Sequence, residues 1–395
     1  MEEKKPNIIY YYVLIIYIVS SIVNWLPILD NNIVRILKYI IFLIIFLYEV
    51  NHFGIRYPSN FLSPKGLLLI FFAMIPGMFL SFGYESLIDI IIPFILIFIF
   101  NYKKQFYYKV LYESAKIVAI ISVFSIFANY TGFLDMDPNG PWTATFGQSG
   151  FGGYRTGYSN SLFLYIPILV FWHRVKQKSV FSVEIILIFS IIFAQYISGG
   201  RAGVIASVVV LLIWLRVSLV YKIGFLSFIL FASQLEVVQE QFRIQDLETS
   251  DKTLDKISSG RVVLNTYYFD KVKESPFFGY GFGKKTNMLL GTEAHIVWLR
   301  NAFNGGLFYL GFIIFIFISI YQNVKNNFTL TSEEYKLFYS MFFTTLIITF
   351  LEPNYIIGSV QGEIVYWVVI SLLLKKHNPI LLEDFLQSEN EIQNA

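Results

Sequence analysis

Long apolar stretches recur along this chain and alternate with short polar segments. A helix that crosses a membrane needs about 20 mostly apolar residues, and stretches of that kind follow one another from residue 8 to residue 374. The pattern predicts about twelve transmembrane helices, near residues 8–29, 33–50, 66–82, 87–100, 110–132, 158–172, 180–197, 202–221, 223–235, 297–321, 337–352 and 358–374. We therefore expect an all-α fold, a polytopic integral membrane helical bundle.

Composition supports this fold class. Apolar residues make up 56% of the 395 residues and charged residues 14%, whereas a soluble domain carries roughly 25% charged residues. The chain contains no cysteine, so disulfides, thiolate metal sites and cysteine nucleophiles are excluded. A formal net charge of +3 gives no indication of a nucleic-acid partner.

The distribution of Lys and Arg predicts the orientation. With the N-terminus in the cytoplasm, most basic residues fall in inner connections, and the short outer segments hold only Arg35, Lys38, Arg155 and Arg201. Basic residues favour the cytoplasmic side in short loops, and long loops are exempt. Both termini are therefore expected in the cytoplasm.

Two outer segments are longer than a tight connection between helices requires. The chain is accordingly divided into residues 1–235 (nine helices with an outer loop near 133–157), a large extracytoplasmic loop subdomain at 236–296, three further helices in 297–374, and a polar cytoplasmic tail at 375–395. Within the large loop, serine cap candidates and Pro276 delimit one short predicted helix with Arg261 at its start.

His295 is the candidate general base. In the predicted topology it is the one outward-facing histidine, and it lies beside Glu293 where the long loop returns to the membrane. A histidine that only anchors a helix at the interface is the alternative. Glu293 is a neighbouring candidate for substrate contact.

Arg201 and Arg261 are candidate anion-binding residues. Each follows a Ser/Gly segment at a predicted helix start, where open N–H groups and a guanidinium favour phosphate. A snorkelling Arg201 and a solvated Arg261 are the alternatives.

Three motifs in order resemble the superfamily of O-antigen ligases and Wzy-type polysaccharide polymerases. They are Ser-Gly-Gly-Arg201, then Ser-Ser-Gly-Arg261 with Ser275-Pro-Phe-Phe-Gly-Tyr-Gly-Phe-Gly283, then Ala294-His295 before Asn304-Gly-Gly-Leu-Phe-Tyr-Leu-Gly311. Arg155-Thr-Gly-Tyr-Ser-Asn160 resembles an earlier element of that superfamily. The resemblance covers residues 130 to 320, and it departs at Ile296, where the superfamily often has Asn or Ser.

The resemblance implies a membrane glycosyltransferase that uses a polyprenyl-diphosphate-linked oligosaccharide, with no metal and no cofactor. Arg201 and Arg261 would stabilise the diphosphate, and His295 would accept the proton of the acceptor hydroxyl. Arg155 and Glu293 would contact substrate. Tyr280 is a candidate for stacking on a sugar, and the alternative is that it belongs to the belt of aromatic residues at the membrane interface. The expected location is the bacterial cytoplasmic membrane, with membrane lipid, a flippase and chain-length regulators as partners.

Two activities belong to the superfamily that the chain resembles, and a third activity is an alternative from a different class. A polymerase extends the lipid-linked chain by whole repeat units, and a ligase moves a finished glycan to a lipid or protein acceptor. A lipid-linked oligosaccharide flippase belongs to a different class, since transporters place polar sites near the bilayer midplane. Lys116 and Glu113, the main charged pair near a span interior, lie toward the cytoplasmic end of that span. We expect the polymerase.

Overall fold

The computed structural model describes most of the predicted spans. The described residues are 6–23, 31–55, 72, 75, 84–131, 155–176, 182–198, 200–214, 261–282, 294, 296–350 and 360–375. The predicted spans near 66–82 and 223–235 lie outside these ranges, apart from Phe72 and Ile75.

The described residues form helices, with no strand among them. The helices are α1 (Ile8–Ser20), α2 (Asn31–Phe53), α3 (Tyr84–Ile99), α4 (Lys104–Tyr130), α5 (Arg155–Leu162), α6 (Tyr165–Val175), α7 (Val183–Ser198), α8 (Arg201–Trp214), α9 (Arg261–Glu274), α10 (Val297–Lys325), α11 (Ser332–Thr349) and α12 (Val360–Leu374). The all-α prediction is confirmed for this part of the chain. The span predicted at 158–172 is divided into α5 and α6 by a turn at Phe163 and Leu164.

Local sequence explains two of the helix starts. The Asn7 side chain accepts from the Ile9 amide at the start of α1. At α11, Thr331 and Glu334 form a capping box, in which each side chain accepts from the backbone amide of the other residue. Both helices therefore begin at residues that satisfy amides left open at a helix terminus.

The helices pack as one bundle with an aromatic and aliphatic core. Helix α4 packs against α1, α6 and α7, while α12 packs on α3 and α11 packs on α8. Polar contacts join distant helices inside this core, as where the indole of Trp214 on α8 donates to Ser340 Oγ on α11 at 3.1 Å. The core thus fixes the relative positions of helices that are far apart in sequence.

One end of the bundle is held by buried carboxylates, and we call it the carboxylate end; it is defined by Glu49, Glu184 and Glu334. The hydroxyl of Tyr107, on α4, donates to Glu49 Oε1 on α2 at 2.6 Å, and the hydroxyl of Tyr10, on α1, donates to the same oxygen. Three helices thus meet at one buried acceptor.

The other two carboxylates also bind tyrosines of α4. Tyr108 donates to Glu334 Oε1 at 2.7 Å, and Lys104 Nζ lies 3.4 Å from that oxygen. Tyr112 donates to Glu184 Oε1 at 2.5 Å. Burying a carboxylate is costly unless it is paired and hydrogen-bonded, so these contacts fix α4 against α7 and α11.

Two described helices are long and apolar enough to cross a membrane, Lys104–Ala128 and Val297–Lys325. The segments Ile8–Ser20, Val183–Ser198, Ala202–Trp214 and Ile364–Leu374 are apolar but shorter. At 1.5 Å per residue a helix of 16 residues spans about 24 Å, less than the roughly 30 Å of a hydrocarbon core. Two described helices are therefore long enough to span a membrane, and the number of about twelve spans stays a prediction.

Candidate functional site

Helices α5 and α8 begin side by side, and each begins with an arginine, Arg155 and Arg201. One turn into α5, Ser159 Oγ donates to the Gly200 carbonyl at 2.9 Å, directly before α8. A Cβ at Gly203 would lie 2.5 Å from the Ser159 carbonyl oxygen. The glycine therefore allows a close approach that a side chain would block.

Gln195 near the end of α7 fixes these two helix starts. Its amide nitrogen donates to the Ser159 carbonyl at 2.9 Å, and its amide oxygen accepts from Ser207 Oγ at 2.7 Å. Gln195 is completely buried. The sequence reading did not single it out, although a glutamine within an apolar span was the available signal.

These helix starts lie at the end of the bundle opposite the carboxylate end, and we call it the arginine end. Glu184 is in the first turn of α7 and Ser198 ends it. A separation of fourteen helical residues corresponds to about 21 Å. The partial positive charges of two helix N-termini therefore converge at the arginine end.

Helix α9 starts at Arg261, as the sequence predicted. Its buried stripe, Leu264, Tyr268 and Val272, packs against the first part of α10, and the rings of Tyr268 and Phe303 lie 4.8 Å apart. The segment that directly follows α9 caps residues 303–307, so the two helices run in the same direction. This register brings Arg261, seven residues before Tyr268, toward residue 296.

Helix α10 is broken at Gly306, which has φ 74° and ψ −178°. The loop after α9 binds the open backbone groups on both sides of the break. The amides of Tyr280 and Gly281 donate to the carbonyls of Phe303 and Asn304 at 2.7 and 2.8 Å, and the Leu307 amide donates to the Pro276 carbonyl at 2.7 Å. We call the two parts α10a (297–305) and α10b (307–325).

The two parts fold back on each other. Trp298 and Phe317 are nineteen residues apart, or about 28 Å in a straight helix, yet their ring centroids lie 5.6 Å apart. Side chains cannot bridge that difference, so α10a and α10b meet at an acute angle. The single span predicted at 297–321 is therefore a helical hairpin, and hydropathy did not indicate its bend.

The hairpin lies at the same end of the bundle as the starts of α5 and α8. Trp298 Nε1 donates to Thr349 Oγ1 at 2.8 Å, at the end of α11. Helix α11 starts at the carboxylate end, where it contributes Glu334, and the fifteen residues from Glu334 to Thr349 span about 22 Å. Helix α11 also packs along α8, so it connects the hairpin to the Arg201 helix.

Tyr280 builds the cap of the broken helix. Its ring stacks on Phe303 with centroids 4.8 Å apart, and its hydroxyl donates to Glu274 Oε2 at 2.8 Å. One ring face is therefore occupied by Phe303. Hydrogen bonds from Lys271 and Tyr280 hold the pKa of Glu274 below its ordinary value.

The structure describes the remaining candidate residues only in part. The structure gives the backbone of Arg155, Arg201 and Arg261 and not their side chains. His295 and Glu293 lie outside the described residues. Ala294 and Ile296 flank His295, and Ala294 is buried beside α9. The structure thus brings the helix starts of Arg155 and Arg201 together, and separately that of Arg261 with residue 296.

Among the described residues, no group of three or more His, Asp or Glu side chains could hold a metal ion. No protein family model matches this chain, and no curated protein matches it.

Proposed function

We propose that this chain is an integral membrane glycosyltransferase that polymerises polyprenyl-diphosphate-linked oligosaccharide repeat units at the outer face of the cytoplasmic membrane. The single observation that carries the proposal is the arginine end. Three helices begin with arginine, two of those starts are joined through Ser159 and Gly200, and the third runs beside the segment that leads from residue 296 into a broken helix.

Exposed apolar faces support membrane insertion. The described helices present large side chains at helical spacing on the outside of the bundle. On α2 these are Ile33, Ile36, Leu37, Ile40, Leu43, Ile44 and Leu47. Contiguous exposed apolar surface of this kind marks an interaction surface, and a stripe along a bundle of apolar helices suits lipid. After its bend, α10b keeps nineteen residues, about 28 Å, close to the thickness of a hydrocarbon core.

The charge distribution supports the orientation. Several described basic residues lie in or beside the turns at the carboxylate end: Lys103, Lys104, Arg174, Lys176, Lys325, Lys336 and Lys375. Basic residues in short connections favour the cytoplasmic side. The carboxylate end therefore faces the cytoplasm and the arginine end faces outward, in a bundle of about twelve spans with a large outer loop at 236–296.

The chemistry follows from the residue types at the arginine end. Arg201 and Arg261 bind the donor diphosphate, because a guanidinium donates two parallel hydrogen bonds to phosphate oxygens and stays charged. His295 accepts the proton of the acceptor hydroxyl while that oxygen bonds to the anomeric carbon. The bond from this carbon to the diphosphate breaks, and the lipid diphosphate leaves with the electron pair. Arg155 and Glu293 contact the same substrate, and a sugar stacks on the face of the Tyr280 ring opposite Phe303.

The test is glycan transfer by the purified protein supplied with lipid-linked oligosaccharide. A ladder of products supports polymerisation. Transfer that requires a separate acceptor indicates a ligase, and movement of the lipid-linked glycan without bond formation indicates a flippase.

We expect His295→Ala to reduce turnover about 100- to 10,000-fold, the usual contribution of general base catalysis. His52→Ala is the matched control, because His52 is an exposed histidine at the opposite end of the bundle. Its turnover should be normal. Near-native turnover in His295→Gln would remove the histidine from the mechanism.

A further inference from the structure

Three buried polar side-chain atoms at the broken helix have no hydrogen-bond partner within the part of the chain that the structure describes. They are Asn301 Nδ2, Asn304 Oδ1 and the Tyr309 hydroxyl. The two asparagines are 5% exposed and the tyrosine 1%. An unsatisfied buried polar group costs about 1–3 kcal/mol, so three within nine residues require an explanation.

The three groups meet on one side of α10a. Asn301, Asn304 and Gly305 follow the i, i+3, i+4 spacing of a single helix face. Beyond the break, Tyr309 folds back over this face, and a Cβ built at Gly305 would lie 2.6 Å from Tyr309 Cβ. The ring of Phe282 packs edge-on against Tyr309, with centroids 4.9 Å apart. We call Asn301, Asn304 and Tyr309 the break cluster.

The bend itself does not need these side chains. Polar residues at a helix break commonly bind the backbone groups that the break opens. Here the loop after α9 already serves the Phe303 and Asn304 carbonyls and the Leu307 amide. Within the described part of the chain, these three polar atoms therefore remain open to a group that is not part of this backbone.

We propose that the break cluster binds the hydroxyl groups of a sugar unit in the lipid-linked glycan, away from the bond that reacts. The proposal rests on the proposed function. The cluster offers an amide donor, an amide acceptor and a hydroxyl, which are neutral groups of both kinds. Sugar hydroxyls donate and accept and so match all three, whereas a phosphate oxygen cannot satisfy an amide oxygen.

The distance from residue 295 to the break cluster determines which sugar of the glycan the cluster can bind. Ten residues of chain separate His295 from Gly305, and nearly all of them lie in α10a. Ten helical residues correspond to about 15 Å. A glycan that reacts near residue 295 would therefore reach the break cluster only with a later sugar. Loss of such a contact weakens binding of the whole glycan and leaves the chemical step unchanged.

The experiment compares two probes on the purified full-length protein, bare polyprenyl diphosphate and the polyprenyl-diphosphate oligosaccharide extracted from the producing cells. Wild type should bind the glycan-bearing lipid more tightly than the bare one. Tyr309→Phe and Asn304→Leu should each weaken glycan-lipid binding about 3- to 10-fold, the value of one hydrogen bond, and leave bare-lipid binding unchanged. In turnover, KM should rise with kcat unaltered.

Tyr17→Phe is the matched control. Tyr17 is also a fully buried tyrosine whose hydroxyl has no partner among the described residues, and it lies on α1. It should bind both probes as wild type does.

Equal affinity of wild type for the two probes, or unchanged glycan binding in both break-cluster variants, overturns the inference. Glycan-dependent binding that these variants weaken, without any bond formation, supports the break cluster and refutes the transferase. Bond formation with unaltered KM in the variants supports the transferase and refutes sugar binding by the break cluster.

Discussion

The carboxylate end and the broken helix differ in how each holds a buried tyrosine hydroxyl. At the carboxylate end, the hydroxyl of Tyr107 is buried and donates to Glu49. At the broken helix, the hydroxyl of Tyr309 is equally buried, each tyrosine being 1% exposed, and it has no partner among the described residues. Two tyrosines of the same burial therefore make different contributions to the folded state.

The difference between the two hydroxyls distinguishes a group that stabilises the fold from one that can bind a ligand. A satisfied buried hydrogen bond contributes about 0.5–1.5 kcal/mol to stability, and an unsatisfied group costs free energy. Sites that bind ligands commonly carry such a cost. The carboxylate end thus holds helices together, while the Tyr309 hydroxyl stays open among the described residues, and we propose a sugar as its partner.

The largest expected effect on stability is at the carboxylate end. Glu334→Gln keeps a side chain that can form the capping box but leaves Lys104 buried without its counter-charge. Breaking a buried ion pair costs about 3–5 kcal/mol, to be measured as the free energy of unfolding in detergent. The double variant with Lys104→Met should recover much of the loss.

Glu333→Gln is the control for that change. Glu333 pairs with Lys336 at 3.0 Å and is more exposed, so its replacement should cost less than about 1 kcal/mol. Equal effects at the two positions would mean that the carboxylate end is not what stabilises the bundle.

A somewhat smaller effect is expected at the break. Gly306→Ala places a side chain in a backbone region that is essentially restricted to glycine, against the Phe277 carbonyl. We expect a loss of about 3 kcal/mol in the free energy of unfolding, or a lower yield of folded protein.

Two other glycines separate the contribution of backbone strain from that of steric overlap. Gly54 has a positive φ, 74°, with open space around its missing Cβ, so Gly54→Ala should cost only the backbone strain, about 1–2 kcal/mol. Gly311 has open space and no positive φ, and Gly311→Ala should be near neutral. A Gly306→Ala protein as stable as Gly311→Ala would contradict the acute bend.

Controls aside, the smallest effect in free energy is expected at the arginine end. In the proposed diphosphate site, Arg201→Lys keeps the charge but cannot form paired hydrogen bonds to phosphate, so turnover should fall about tenfold or more with normal abundance. An arginine that only reaches the headgroup level would tolerate lysine. Near-native turnover would therefore remove Arg201 from the diphosphate site.

The helix starts could be read from the sequence, and the hairpin could not. The Ser/Gly segments before Arg201 and Arg261 are local signals for a helix N-terminus, and both starts are confirmed. An apolar average over 297–321 is insensitive to a single backbone angle, so the bend at Gly306 was missed although Asn304-Gly-Gly was part of a motif.

Pairing across helices was also hidden from the sequence. Lys116 and Glu113 stood out in the sequence as a charged pair near the interior of one span, and they form an ion pair at 2.6 Å. Glu49 and Glu184 find their tyrosine partners on other helices, and sequence spacing does not encode such contacts. The partners of Gln195 on other helices were hidden for the same reason, although a glutamine within an apolar span was itself visible in the sequence.

The claim that the arginine end faces outward is tested most directly by thiol labelling in whole cells, because the native chain has no cysteine. Lys273→Cys, exposed on α9, and Lys103→Cys, exposed at the carboxylate end, are a matched pair. A membrane-impermeant thiol reagent should label Lys273→Cys in intact cells and Lys103→Cys only after permeabilisation. Labelling of Lys103→Cys but not Lys273→Cys in intact cells would contradict the orientation and the proposed site of glycan transfer.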